Sequence, residues 1–193
     1  KRVSRLGGGC WAKRCAGRRR VAGVDVVTVD ADYVTAAAFE PFFAAEYGRV
    51  MGLAFVLCGQ RVVAEEVAQD AFVQAYRRWS VVSGYDDPAA WVRRVAVNLA
   101  TSTLRRRALE ARAIARVAGR PAAAAELVVA DGAFWGAVRR LPERPAQCVA
   151  PRYLEDRSVS DIAAVLGIAE ATVRVHLHQG RAALAVALGE EES

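Results

Sequence analysis

Residues 158–177 read SVSDIAAVLGIAEATVRVHL, with the spacing of two short helices joined by a tight turn. Ser158 or Ser160 can cap the first helix, because a hydroxyl oxygen accepts a hydrogen bond from a free N–H of the first turn. Ile162, Val165 and Leu166 then share an inward face. Ala163 is small where two helices would cross closely. Gly167 stands four residues later, where the turn needs a left-handed backbone that glycine adopts without steric cost. Ile168 packs beneath the turn, and Val173 and Leu177 anchor the second helix. That burial leaves Glu170, Thr172, Arg174, Val175, His176, His178 and Arg181 facing outward or flanking the buried stripe. Such a second helix fits the major groove of duplex DNA, with its N-terminal residues at base edges. Arg174 can meet a guanine or a phosphate, and Thr172 and His176 can hydrogen-bond either. Any helical hairpin with a glycine turn shares part of this pattern. The joint spacing of alanine, glycine and valine favours a helix-turn-helix.

Upstream, the apolar pattern is helical throughout. Phe39, Phe42, Phe43, Tyr47, Val50 and Leu53 recur mostly at three- and four-residue steps from Thr35 onward, and Gly59 marks a break. A second helix fits residues 61–79, with Val63, Val67, Phe72, Ala75, Tyr76 and Trp79 as its apolar contacts. Residues 80–88 hold Gly84, Asp86, Asp87 and Pro88 and predict a loop closing onto a helix N-terminus. A third helix runs from Ala89 to about Arg107, with Trp91, Val95, Leu99 and Leu104 inside and arginines on its other side. Residues 108–130 are alanine-rich and interrupted by Gly119, Arg120 and Pro121, which predicts a flexible linker. From Asp131 to about Leu188 the pattern gives four shorter helices. The expected fold is all-α: two small helical domains, over 31–107 and 131–193, the second a helix-turn-helix domain.

Residues 1–30 stand apart as a basic tail expected to be disordered. The first twenty carry eight basic side chains and no acid; beyond them 19 basic residues face 21 acidic ones. The net charge of +6 therefore belongs to the tail, and any nucleic-acid surface in the folded part must come from local clustering. No run of eighteen or more apolar residues exists, so no membrane span is expected, and no apolar stretch with a cleavage site follows the basic start. Cys10, Cys15, Cys58 and Cys148 are scattered, and His176 and His178 lie two apart, a spacing unsuited to a tetrahedral zinc site on a helix. No metal, no cofactor and a cytoplasmic location are expected. No nucleophile–base pair or phosphate-binding loop is visible, which argues against an enzyme and a small-molecule substrate.

Two further clusters carry chemistry. Arg93, Arg94, Arg105, Arg106 and Arg107 lie on or just past one helix that also presents Trp91 and Asn98. Cations for phosphates beside a ring and an amide for unstacked bases suit single-stranded DNA. A solvated helix face with a basic last turn explains the same residues equally well. Glu65, Glu66 and Asp70, beside Gln69 and Phe72, lack histidine or further acids for metal or acid–base work. An acidic face that docks on a basic protein is the better functional reading, against a merely solvated one.

These three signals, in this order, resemble the extracytoplasmic-function sigma factors of the sigma-70 family from about Phe39 to Leu188. Residues 64–79, AEEVAQDAFVQAYRRW, are similar to the family segment that binds the clamp helices of the polymerase β′ subunit. Residues 88–100, PAAWVRRVAVNLA, followed by Arg105, Arg106 and Arg107, resemble the segment that melts and reads the −10 element. Leu141 and Pro142, the run RYLE at 152–155, and the helix-turn-helix resemble the domain that reads the −35 element. The resemblance implies a protein that binds core RNA polymerase through its β′ and β subunits, promoter DNA, and an anti-sigma factor. It places Glu66, Gln69, Asp70 and Phe72 against core polymerase. It places Tyr85, in a loop over 80–87 that captures a flipped base, with Trp91, Arg93, Arg94, Asn98, Arg105 and Arg106 on the −10 strand. Glu170, Thr172, Arg174, Val175, His176, His178 and Arg181 would face the −35 duplex.

Some positions depart from the family pattern. Val97 stands where arginine is usual and Ser102 where aspartate is frequent. Pro151 falls where a leucine continues a helix, Arg157 replaces an apolar residue, and Val175, Gln179 and Gly180 make the recognition helix less polar. They weaken the expectation of −35 reading and leave the fold assignment intact. A stand-alone helix-turn-helix regulator, or a degenerate sigma-like protein held by an anti-sigma factor, are the rival readings.

Overall fold

The computed structural model describes residues 31–118 and 132–189; the expected tail, residues 119–130 of the expected linker, and residues 131 and 190–193 of the expected second domain lie outside them. Among the described residues there are eight helices and no strand. In chain order they are α1 (Ala31–Cys58), α2 (Arg61–Arg77), α3 (Trp79–Val82), α4 (Pro88–Ala118), α5 (Gly132–Arg140), α6 (Glu143–Leu154), α7 (Val159–Leu166) and α8 (Glu170–Gly189).

The first bundle is α1 to α4. Gly59, at φ 70°, ends α1 and turns the chain into α2. Val50, Leu53, Val63, Val67, Phe72, Val92 and Val97 form its core. An aromatic cluster closes one end. Phe72 of α2 meets Phe43 with ring centroids 5.0 Å apart, and Phe42 meets Trp79 at 4.8 Å. Phe39 joins Tyr76 at 5.2 Å and Trp79 at 5.1 Å. By length and composition alone, residues Ala37–Cys58 of α1 could cross a membrane, which the apolar-run criterion did not detect. Here Val50, Leu53, Ala54 and Leu57 of that helix are packed in the core of the bundle.

The start of α4 is set by its sequence. The Asp87 carboxylate accepts from the Ala90 N–H at 2.8 Å, and Pro88 takes the first helical position, where a missing N–H costs nothing. Its end corrects the expected linker: residues 108–118 continue the helix. Alanine and arginine are strong helix formers, and Arg106 pairs with Glu110 one turn on at 3.7 Å. Propensity therefore carries the helix up to the Gly119-Arg120-Pro121 break.

The second bundle, α5 to α8, buries Val138, Cys148, Val149, Ile162, Val173, Leu177 and Leu184. Pro151 lies inside α6, and its own carbonyl accepts from the N–H groups of Glu155 and Arg157, both at 3.3 Å. Proline removes one bond of the helical ladder, and α6 stops three residues later. Burial pushes the Cys58 and Cys148 thiols up to about 11, only slightly offset by Arg107 and Arg144 respectively, so both stay protonated and unreactive at neutral pH.

Candidate nucleic-acid interface

The helix-turn-helix forms as its spacing predicts. Ser158 caps α7: its hydroxyl accepts from the Asp161 N–H at 3.1 Å, and the Asp161 carboxylate accepts from the Ser158 N–H at 3.1 Å. This reciprocal pair satisfies two free donors of the first turn. The bonds from Ser158 hold the Asp161 carboxyl below its usual pKa. A depressed folded pKa stabilises above the unfolded value, and that contribution is lost as pH falls through the folded one. Gly167 adopts φ 65° and ψ 39°, and its N–H donates to the Ala163 carbonyl at 2.8 Å.

Val173 and Leu177 are buried, which turns the opposite side of α8 to solvent. Glu170, Thr172, Arg174, Val175, His178 and Arg181 are exposed, and His176 is half-buried. Val175, at 53% exposure, places an apolar group in the middle of this surface. Arg174 donates to Glu170 at 2.7 Å across one turn, which pre-positions its guanidinium near the start of the helix. His176 lies 3.3 Å from Gln179. Gly180, one of the departures from the family pattern, has a packing reason. A Cβ there would lie 2.6 Å from Val149 Cγ2, so glycine lets α8 approach α6 closely.

The residues expected on the −10 strand are divided by the fold. Tyr85 is 45% exposed on the loop between α3 and α4, Asn98 and Arg106 are exposed, and Trp91 is half-buried against the first core. Arg93 is not on the surface. It is 1% exposed, and donates through Nη2 to Glu46 at 2.8 Å and through Nε to Glu155 at 3.0 Å. Arg94 donates to the carbonyls of Ala164 and Val165, each at 2.8 Å, at the C-terminal end of α7. Arg105 Nε donates to Glu143 at 2.9 Å. The partners Glu46, Glu155 and Glu143 were not legible in the sequence, since nothing in its local spacing tells which acid a distant arginine will meet.

The α2 surface also separates the expected residues. Glu66, Gln69 and Asp70 are exposed and fall on one side of the helix. Phe72 does not belong with them: it is 3% exposed and sits among the rings of Phe39, Phe42, Phe43 and Tyr47. Exposed apolar residues take its place beside the acids, Val62 at 67% and Val73 at 45%. Val62, Glu66, Gln69, Asp70 and Val73 recur at three- and four-residue steps, a stripe the sequence contained but core-directed reading passed over.

Comparison with known proteins follows the same order along the chain. The Sigma-70 region 2 family model matches residues 42–110, and the Sigma-70, region 4 model matches residues 131–184. Together they span well over half of the chain. The ECF RNA polymerase sigma factor SigW of Bacillus subtilis (strain 168) is 25% identical over 151 residues, which is 70% of this chain and 81% of that protein. Among solved structures, the sigma factor RpoE in complex with the anti-sigma factor NepR, from Bartonella quintana, has a TM-score of 0.64 at 20% identity. That match covers 79% of this chain and 97% of RpoE's. CnrH in complex with the cytosolic domain of CnrY has a TM-score of 0.59 at 22% identity, covering 83% and 99%. These two likenesses establish the shared fold.

Proposed function

Because the chain belongs to the sigma-70 family, as an RNA polymerase sigma factor of the extracytoplasmic-function type, we propose that it divides promoter recognition among three surfaces of named residues. The stripe of Glu66, Gln69 and Asp70, flanked by Val62 and Val73, docks on core polymerase. Tyr85, Trp91, Asn98, Arg105 and Arg106 hold the melted −10 strand, while Arg93 and Arg94 brace α4 against Glu46, Glu155 and the end of α7. Glu170, Thr172, Arg174, His176, His178 and Arg181 meet the −35 duplex. The observation that carries this division is the exposure, in one chain, of the outer face of the recognition helix α8 and of a separate acidic and apolar stripe on α2. A protein that only read duplex DNA would have no need of the second surface.

The chain contributes binding and positioning to initiation, and the polymerase supplies the chemistry. An anti-sigma partner is part of this reading, supported by the fold shared with RpoE, which was solved in complex with the anti-sigma factor NepR. Its place of work is the cytoplasm, at the nucleoid through the polymerase.

Arg174 gives the test of the −35 assignment. Arg174→Ala removes a cation at the start of the recognition helix, where one good base contact contributes roughly 1–3 kcal/mol. Run-off transcription from promoters with a matched −35 element is expected to fall about tenfold, while binding to core polymerase stays unchanged. Undiminished transcription would remove Arg174 from the −35 interface.

A further inference from the structure

Helix α4 outlasts the bundle it belongs to. Arg107 fastens it to the start of α2, donating through Nη1 to Gln60 at 2.7 Å. Beyond that point residues 108–114 and Arg116 are all exposed, among them Leu109 at 63% and Ile114 at 68%. The helix runs on to Ala118, past residue 110 where the segment matched by the region 2 family model ends. A helical segment that buries no apolar stripe gains nothing from a core and is free to meet a partner.

Its charges say which kind. Residues 105–116 hold five arginines and one acid, Glu110, while the chain beyond residue 20 carries 19 basic and 21 acidic side chains. Arg105, Arg112 and Arg116 stand seven and four residues apart, which puts them on one face at about 3.6 residues per turn. Arg105, Ala108 and Arg112 line the same hollow on that side. Arg112 and Arg116 meet no acid among the described residues. A basic last turn complements the helix dipole, but that effect fades within one turn and accounts for Arg116 alone. A one-signed stripe on a projecting helix fits a row of phosphates.

We propose that the end of α4 grips the promoter duplex between the −10 and −35 elements, with Arg112 and Arg116 on its phosphates. This rests on the reading that Asn98 and Arg106 face the −10 strand. From there α4 leads the chain toward the second bundle, whose α8 meets the −35 duplex. Its end therefore lies beside the DNA that joins the two elements. Each residue advances the helix by about 1.5 Å, which sets Arg112 about 21 Å and Arg116 about 27 Å beyond Asn98. A duplex rises about 3.4 Å per base pair, so these guanidiniums reach phosphates up to about six to eight pairs upstream. Each presents paired donors to phosphate oxygens. Such contacts carry no sequence information; they set the register of the protein on the duplex.

The test uses the full chain bound to core polymerase and a genomic fragment from which that complex initiates. Arg112→Ala with Arg116→Ala keeps the helix, because alanine is the best helix former. Affinity for the fragment is measured over a salt series. Each lost phosphate contact lowers the slope of log affinity against log salt by about 0.9, so the double variant should lose about 1.8. Binding at low salt should fall roughly tenfold, equally on fragments whose spacer sequence is changed, and the gap should close as salt rises. Arg112→Lys with Arg116→Lys should restore most of the binding, since a point charge still neutralises a phosphate. Ile114→Ala, on the opposite face, should change nothing. Uncharged methylphosphonate linkages about six to eight pairs upstream of the −10 contact should weaken the wild-type complex and leave the double variant's unaltered. An unchanged slope and affinity would overturn the grip. So would a loss confined to one spacer sequence, or weaker binding of the variant to core polymerase without DNA, which would make this a protein-docking face. A wild-type chain that forms no complex with core polymerase would overturn the proposed function and the grip with it. Intact wild-type initiation beside an unaffected double variant would overturn the grip alone.

Discussion

Phe72→Ala is expected to destabilise the first bundle by about 3–5 kcal/mol, the usual cost of deleting a buried phenylalanine ring. The ring is 3% exposed and touches Phe39, Phe42, Phe43 and Tyr47 at centroid distances from 5.0 to 6.4 Å. These rings belong to α1, and the two helices have little room to close over the void, since Ala68, Ala71 and Ala75 of α2 are already fully buried. A domain of this size is stable by only about 5–15 kcal/mol, and each kcal/mol moves its melting temperature by about 4–8 °C. The thermal midpoint should therefore drop by more than about 12 °C. Phe72→Leu, which keeps most of the volume, should lose far less. Any loss of polymerase binding in Phe72→Ala should follow the unfolded fraction and recover on cooling. A variant with an unchanged midpoint and lost polymerase binding would return Phe72 to the contact surface, against its burial.

Glu66→Arg with Asp70→Arg is the complementary case. Both carboxylates are exposed on α2, so reversing them should leave the melting temperature almost unchanged, as surface substitutions do within about 0.5 kcal/mol. The effect should fall on docking. Reversing two charges at a complementary interface replaces attraction by repulsion, and losses of about 3 kcal/mol, close to a hundredfold in affinity, are expected. Titration of labelled core polymerase against wild type and variant measures this directly. Equal affinity would place the polymerase surface elsewhere on the first bundle. The pair of experiments separates two residues only two positions apart in the chain: Asp70 acts at the surface, and Phe72 beneath it.

That separation marks where the sequence was legible and where it was not. The helix-turn-helix was readable because its determinants are local: a serine cap, a small residue at the crossing, a glycine at positive φ, and apolar residues four apart all act within twenty residues. The acidic residues of α2 were readable for the same reason, whereas the exposed Val62 and Val73 that complete their stripe were passed over. Phe72 was assigned to the surface by family resemblance, although its spacing with Val63 and Ala75 already placed it on the core stripe. The end of α4 was misplaced because the alanine- and arginine-rich run after Arg107 holds no helix-breaking residue before Gly119, so helix propensity carries it on. The partners of Arg93 were illegible altogether. Arg93 meets an acid 47 residues before it and another 62 after it, and no local pattern connects them. Gly180 was read as a loss of polarity on the recognition helix, whereas the approach of Val149 explains it as a packing requirement.

Co-elution of the full chain with bacterial core RNA polymerase, followed by run-off transcription on fragments of the host genome, tests the sigma-factor function most directly. The account predicts a stoichiometric complex, weak DNA binding by the chain alone, and discrete transcripts that require it. A folded chain that fails to associate with core polymerase, yet binds a symmetric duplex site by itself, would contradict the account and make it a stand-alone regulator.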